Sequence, residues 1–315
     1  MKIAFCADPL DGFKIYKDTT YAMMVESARR GHEVYAFEQK DMAIEGGVVV
    51  ANIARINIVD PTGEQAVWYH AAPAVAMPLR ALDVVVMRKD PPFDMEYIYA
   101  TYLLELAQQQ GVRVVNQPQA VRSHNEKLAI TQFPQFIAPT LVTSDETRIR
   151  AFHAQHRDII LKPLDGMGGA GVFRVREDGM NLGAVIEGLT VNGRTTIMAQ
   201  RYIPDIVRGD KRILVIAGSV VPFCLARIPQ GGEVRGNLAA GGLGVAQPLS
   251  ESDYKIANTL APVLWARGLL LVGLDVIGEH LTEVNVTSPT CFKEIMQQTG
   301  FDVSGMFVNA LEKVV

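Results

Sequence analysis

The stretch IILKPLDGMGGAGVFRV, Ile159 to Val175, decides how the rest of the chain is read. Its Gly166, Gly168 and Gly171 match GxGxxG, the fingerprint of a dinucleotide-binding turn. That fingerprint needs a helix straight after the third glycine, because the helix N-terminus holds the pyrophosphate. Gly171 leads instead into VFRVRE, whose alternation and β-branched residues predict a strand. The loop therefore joins two strands. It reads either as a plain flexible hairpin loop or as a flap whose bare N–H groups fold over phosphates. Lys162 favours the flap. A lysine inside an apolar strand needs an anion or a protein carboxylate beside it, because burying it unpaired is costly. No GxxxxGK[ST] motif occurs, so the P-loop enzymes are excluded.

Upstream, the chain alternates strand and helix. KIAFCA, HEVYAFE, LDVVVMR (Leu82 to Arg88) and VRVVNQP read as strands, the third apolar enough to be covered on both faces. DTTYAMMVESARRG reads as a helix capped by Asp18 or Thr19 and ended by Gly31. A long amphipathic helix opens near Asp94 and closes at Gly111. This predicts a parallel, doubly wound α/β unit over about residues 1–120. Between 42 and 80, GGVVVANIARINIV reads as two strands of a small hairpin-like excursion.

From about Asn125 the rhythm becomes α+β. NEKLAITQF reads as a short helix, PTLVTS as a strand, DETRIRAFHAQH as a helix and TTIMAQRYI as a closing strand. KRILVIAGSVVPFCLARIP reads as a hairpin turning at AGS. Pro229 to Gly244 is a long Gly- and Ala-rich loop, best read as a lid that keeps water from a reaction centre. A helix (ESDYKIANTLAPVLWARG) and a hairpin complete the chain's core. In LLLVGLDVIGEHLTEVNV, a hairpin symmetric about Glu279, with its turn at Gly278-Glu279-His280, sets Asp275 opposite Glu283. Asn285 then lies on the same face. Three hard oxygen donors without His or Cys suit Mg²⁺, which takes one or two carboxylates plus substrate phosphates. A solvated polar face is the alternative, and the apolar surroundings argue against it.

The 315 residues are 49% hydrophobic with formal net charge −4, which suits a globular chain of about two domains. No block of Lys or Arg calls for nucleic acid or an anionic membrane, and no run is long enough to span a bilayer. Cys6, Cys224 and Cys291 are scattered and odd in number, as expected of reduced thiols in the cytoplasm. The histidines form no ligand spacing, and no nucleophile motif is present.

Lys127 in an early helix, Lys162 on a strand, a glycine flap, QRYIP and a late Asp…Glu-x-Asn together resemble the ATP-grasp ligases. Within them, VMRKDPPFDMEYIYATYLLE, GDKRILVI, ARIPQGGEVRGNLAAGG and GLDVIGEHLTEVNVTSPT are similar to the bacterial glutathione synthetases over nearly the whole chain. The resemblance implies an α/β N-terminal domain (1–124) and a two-part α+β ATP-grasp module. The latter would comprise a lid subdomain (125–202) and a C-terminal subdomain with the metal site (203–315). It implies ATP-dependent joining of γ-glutamylcysteine and glycine through an acylphosphate. Alternatives are an ATP-grasp ligase with another peptide substrate and a non-catalytic ATP-binding protein.

Residue by residue, the resemblance implies that Lys127 and Lys162 contact ATP phosphates under a flap of Gly168, Gly169 and Gly171. Arg201, Tyr202 and Ile203 would line the adenine hinge, with Asp210 at the ribose or nearby substrate. Asp275, Glu283 and Asn285 would hold two Mg²⁺, or Mn²⁺ in their place. Arg212, together with Lys162, would stabilise the transferring phosphoryl group. Arg88 and Arg227 would bind dipeptide carboxylates, and Asn237, Ser288 and Pro289 would shape the substrate end. A homotetramer is implied as well. Thr19 and Thr20 stand where the family carries small hydroxyl residues, and Lys293 stands where arginine is common.

Overall fold

The computed structural model describes residues 1–63, 67–233, 235–238 and 241–315. Val234, Ala239 and Ala240, inside the expected lid loop, lie outside the described residues.

The N-terminal third builds an eight-stranded sheet. In chain order it contains β1 (Lys2–Cys6), α1 (Thr19–Arg29), β2 (Glu33–Phe37), β3 (Met42–Glu45), β4 (Val48–Ile58), β5 (Tyr69–Ala71), β6 (Val75–Pro78), β7 (Val84–Met87), α2 (Met95–Gln109), β8 (Arg113–Val115) and α3 (Pro118–Arg122). Strands β2, β1, β7 and β8 are parallel neighbours in that order, as the alternating pattern predicts. Both long helices start as read: the Asp18 carboxylate accepts the Tyr21 N–H, and Asp94 accepts the Tyr97 N–H. One reading needs correction. GGVVVANIARINIV is not two strands. Gly46 and Gly47 turn the hairpin between β3 and β4, and the rest is the single strand β4, which pairs antiparallel with β2, β3, β5 and β6. Its partners change along its length, which breaks the local pattern that a single-partner strand would show.

The next block forms a four-stranded antiparallel sheet from β9 (Thr140–Thr143), α4 (Glu146–His156), β10 (Ile159–Pro163), β11 (Phe173–Val175), α5 (Leu182–Thr190) and β12 (Ile197–Arg201). The glycine loop joins β10 to β11, two antiparallel strands, so no helix comes after it. NEKLAITQF is a 3₁₀ turn at Leu128–Gln132 rather than an α-helix.

The last block is a five-stranded antiparallel sheet in the order β15-β14-β13-β16-β17. It holds β13 (Asp210–Ile216), β14 (Ser219–Ile228), β15 (Leu243–Pro248), α6 (Glu251–Ala266), β16 (Leu271–Ile277), β17 (His280–Asn285), α7 (Phe292–Thr299) and α8 (Val303–Val314). The β13–β14 hairpin turns at Ala217-Gly218, both at positive φ. The β16–β17 turn has two residues, Gly278 and Glu279, with Ile277 paired to His280. A bulge at Thr282 then shifts the register, so Asp275 still meets Glu283.

Two core layers run through the N-terminal and five-stranded sheets. Alternation along β1 sends Ala4 and Cys6 to one layer and Ile3 and Phe5 to the other. The four-stranded sheet packs α4 and α5 on a small core of its own, around Ile149, Leu161, Ile186 and Ile197.

Candidate active site

One end of one face of the five-stranded sheet carries nearly all of its buried charge. Cross-strand pairing puts Arg227 beside Asp210, Arg212 beside Asp275, and Asp275 beside Glu283, with Asn285 two residues on. Further along β13 the same face turns apolar, with Leu214 and Ile216 in the core. The charged end faces the four-stranded sheet across a cleft of about 320 Å³.

Asp275 anchors the cluster. Its carboxylate accepts from Arg212 Nε at 2.5 Å and Nη2 at 3.1 Å, and from Arg227 Nη2 at 2.8 Å. Burial pushes its pKa up, but the two guanidinium groups more than offset this and hold it far below the usual carboxylate range. Arg212 reaches Asp275 by lying across Gly273, where a Cβ would come within 2.8 Å of its Cδ. Asp210 shares the same arginine: its Oδ2 accepts from Arg227 Nη2 at 2.5 Å. Its Oδ1 is buried without a partner among the described residues. Burial lifts the Asp210 pKa to about 6, against the pull of Arg227.

Lys162 comes from the opposite wall, and Lys127 from the segment that runs along the outer edge of β17. Lys162 is buried on β10, its ammonium 3.3 Å from the carbonyl of Thr282, the bulge residue. Burial lowers its pKa to about 8, with Glu283 pulling the other way. Lys127 pairs with Glu283 Oε1 at 2.9 Å and donates to the Gly166 carbonyl. Gly168 and Gly169 roof the cleft, and a Cβ on Gly169 would meet Asn237 Oδ1 at 2.7 Å. The two glycine-rich loops therefore touch, and Arg235 Nη1 donates to the Gly169 carbonyl at 3.3 Å.

Arg201, Tyr202 and Ile203 edge an apolar slot with Ile160 and Ile277. Arg174 backs it, its guanidinium 3.5 Å from the Tyr202 ring centre and ion-paired to Asp158 at 2.6 Å. Arg212, Arg227, Asn237, Asn285 and Ser288 also line the cleft. Four expected residues stand behind its walls: Asp275 under the arginines, Gly171 against the Pro163 ring, Pro289 beside Gly273, and Arg88. Arg88 Nε donates to the Thr20 hydroxyl at 3.0 Å, and its Nη1 is buried without a partner among the described residues. Sequence reading missed two acids in the wall. Asp90 accepts from the Ser288 hydroxyl at 2.5 Å, and Glu126 precedes Lys127. Glu126 sits next to Lys127 and Asp90 two residues after Arg88, the basic residues that drew the reading to themselves.

The donor set tests the metal. Glu283 faces the cleft, and Asn285 commits its NH₂ to the Gly273 carbonyl at 3.1 Å, leaving its amide oxygen. Among the described residues, no three His, Cys, Asp or Glu group into a closed cage. Such a set fits Mg²⁺ that completes its shell with phosphate oxygens, and does not fit a structural zinc.

An apolar slot, two lysines under a glycine roof and an oxygen-lined strand meet in this cleft, the arrangement expected of an ATP-grasp ligase. The solved D-cycloserine synthetase covers 100% of this chain and 99% of its own, with TM-score 0.68 at 15% identity. An ATP-grasp ligase solved with a precursor peptide and AMPPNP covers 99% and 97%, with TM-score 0.62 at 19% identity. Both share the fold. The particular family comes from sequence. The prokaryotic glutathione synthetase N-terminal domain matches residues 1–122, and the ATP-grasp domain of the same family matches residues 126–300. The glutathione synthetase of Ralstonia nicotianae is 62% identical over 99% of this chain and 96% of its own. That of Nitrosomonas europaea is 57% identical over 99% and 98%. The chain belongs to the prokaryotic glutathione synthetase family.

Proposed function

We infer that this chain joins γ-glutamylcysteine to glycine at the expense of ATP, making glutathione and releasing ADP and phosphate. The observation that carries the reading is the meeting of flap, lysines and the Glu283–Asn285 strand in one cleft, in a chain of this family.

Charge is the obstacle in this reaction, because a carboxylate must approach a triphosphate. Lys127 and Lys162 would hold phosphate oxygens beneath Gly168 and Gly169, with Gly171 shaping the turn behind them. Arg201, Tyr202 and Ile203 would edge the adenine, with Asp210 near the ribose. Glu283 and Asn285 would hold Mg²⁺, and Asp275 would join them by turning an oxygen from its arginines. The bound ion supplies charge neutralisation at the phosphates. Arg212 would face the transferring phosphoryl group, held in place by Asp275. Arg227, Asn237 and Ser288 would receive the dipeptide, with Arg88 and Pro289 supporting that end.

In this reading, the cysteinyl carboxylate oxygen bonds to the γ-phosphorus, the bond to the β–γ bridging oxygen breaks, and ADP leaves with the electron pair. The glycine nitrogen then bonds to the acyl carbon, phosphate leaves, and the amine sheds a proton. No side-chain nucleophile takes part. The touching glycine loops would exclude water, which otherwise hydrolyses the acylphosphate. The working units are residues 1–124, 125–202 and 203–315. Mn²⁺ as a substitute metal, a homotetramer and a cytoplasmic setting come with the family resemblance; metal titration and light scattering test the first two. No helix among the described residues is long and apolar enough to cross a membrane.

Purified protein with Mg²⁺ and ATP should release phosphate only when γ-glutamylcysteine and glycine are both present. Phosphate release without that dependence, or with other amino acids as effective, would sink the substrate assignment.

A further inference from the structure

Glu126 is a half-buried acid in the cleft wall to which the ligase chemistry gives no task. Its Oε1 accepts three hydrogen bonds: from the Val286 N–H at 2.7 Å, the Thr287 N–H at 3.0 Å and the Thr287 hydroxyl at 2.9 Å. Its backbone carbonyl accepts a fourth, from the Val284 N–H at 2.9 Å. Burial, and then the charge of Glu283, push its pKa up. A second carboxylate kept so near Glu283 is costly, and its geometry indicates what it does there.

Strand β17 ends the five-stranded sheet, and no strand pairs with its outer edge among the described residues. Backbone groups on such an edge must find other partners. Two side chains supply them at Val286, the residue just after the strand. Glu126 takes its N–H, and Asn116 Nδ2 donates to its carbonyl at 2.8 Å. The two grips differ in what else they hold. Asn116 also bonds the Leu271 carbonyl and N–H, and neither Val286 nor Leu271 lines the cleft. Glu126 is fused to Lys127, which reaches both Glu283 and the Gly166 carbonyl at the flap base. The dipeptide Glu126-Lys127 thus touches the strand of Glu283 and Asn285, the turn leading to Ser288, and the flap.

We propose that Glu126 is a positioning residue: by gripping Val286 and Thr287, it fixes the phosphate-binding Lys127 against the strand of Glu283 and Asn285. The proposal rests on the reading of this cleft as a Mg·ATP site. Glu126 itself touches no reacting atom.

Full-length Glu126→Ala, Glu126→Gln and Asn116→Ala proteins test it, by melting temperature, by calorimetric affinity for Mg·ADP, and by kcat and KM. Glu126→Ala should weaken Mg·ADP binding by about tenfold or more and lower kcat by about fiftyfold, with KM for γ-glutamylcysteine moving less than about threefold. Glu126→Gln keeps an oxygen in place and should recover both values to within about fivefold of wild type. Asn116→Ala should lower the melting temperature at least as much as Glu126→Ala, with Mg·ADP affinity and kcat kept within about threefold. The proposal is overturned if folded Glu126→Ala keeps both values within about threefold, if Gln recovers nothing, or if Asn116→Ala reproduces the affinity loss. Should Glu126→Ala not fold, Thr287→Val removes one donor and should weaken Mg·ADP binding by about threefold; unchanged binding overturns the proposal. Mg·ADP binding needs no peptide substrate. A wild-type protein that binds it but makes no glutathione defeats the ligase reading and still leaves Glu126 tested.

Discussion

Two acid–base clusters in this molecule look alike in composition and differ in what they leave unsatisfied. One ties α1 to α8: Glu26 accepts from Arg29 and Arg30, and Arg30 goes on to Asn309, Glu312 and the Gly305 carbonyl. His32 reaches Glu312 at 2.9 Å. The other joins Asp210, Arg212, Arg227 and Asp275 under the cleft. In the first cluster Arg29 is 66% exposed and Glu312 is 37% exposed, so water shares the charge. In the second, no side chain exceeds 13% exposure, and one Asp210 oxygen has no partner among the described residues. Asp210 lines the cleft, so its open oxygen stands where a ligand's donor or cation can reach it. The buried cluster is therefore read as a binding surface awaiting charge, and the exposed one as a clip between helices.

Breaking each cluster should separate the two roles. The largest effect is expected for Asp275→Ala, which leaves the buried Arg212 without its counter-charge and Arg227 with Asp210 alone. Stability should fall by about 3–5 kcal/mol in denaturant titration, and activity should be abolished. Next comes Glu283→Gln, which keeps the shape and removes the charge facing the cleft. Its kcat should drop on the order of 10²–10³-fold while its melting temperature stays near wild type; wild-type rates would refute the metal assignment.

A third buried group sharpens the contrast, because it is kept neutral. His124 is 5% exposed, its Nε2 has no partner among the described residues, and burial, then Arg267, lowers its pKa to about 4 from an ordinary 6.5. Below pH 6.5 the unfolded chain binds a proton that the folded chain refuses until about pH 4. The stability His124 contributes is thus full above pH 6.5 and is lost as pH falls towards 4, on the order of 3 kcal/mol. His124→Gln should flatten the acid limb of the stability–pH curve over that window; an unchanged limb would contradict it. The smallest effect belongs to the helix clip. Glu312→Gln should cost less than about 1 kcal/mol, reduced further by salt, and leave kcat unaltered.

The sequence exposed the polar face of β17 more readily than its wiring. Alternation alone put Glu283 and Asn285 on one side. The facing of Asp275 and Glu283 was expected from a symmetric hairpin, yet it arises from a two-residue turn plus the bulge at Thr282. Spacing cannot tell these apart, and only the second brings the Thr282 carbonyl to Lys162. Helices α5, α7 and α8 went unread: Asn181 and Cys291 start the first two in the left-handed region without capping bonds, whereas α8 opens on Asp302, whose carboxylate accepts the Gly305 N–H, a capping signal that was passed over. The doubly wound half was clearer, since β1 and β7 are buried on both faces and α1 and α2 open on Asp18 and Asp94. Glu126 had no periodic signature, because its partners lie about 160 residues away.

The central claim, that a carboxylate is activated by phosphoryl transfer in this cleft, is tested most directly by isotope. γ-Glutamylcysteine labelled with ¹⁸O in its cysteinyl carboxylate is turned over with ATP, Mg²⁺ and glycine, and the released phosphate is examined by mass spectrometry. The account predicts one ¹⁸O in each phosphate and the other retained in the new amide of glutathione. Unlabelled phosphate formed alongside product would contradict it.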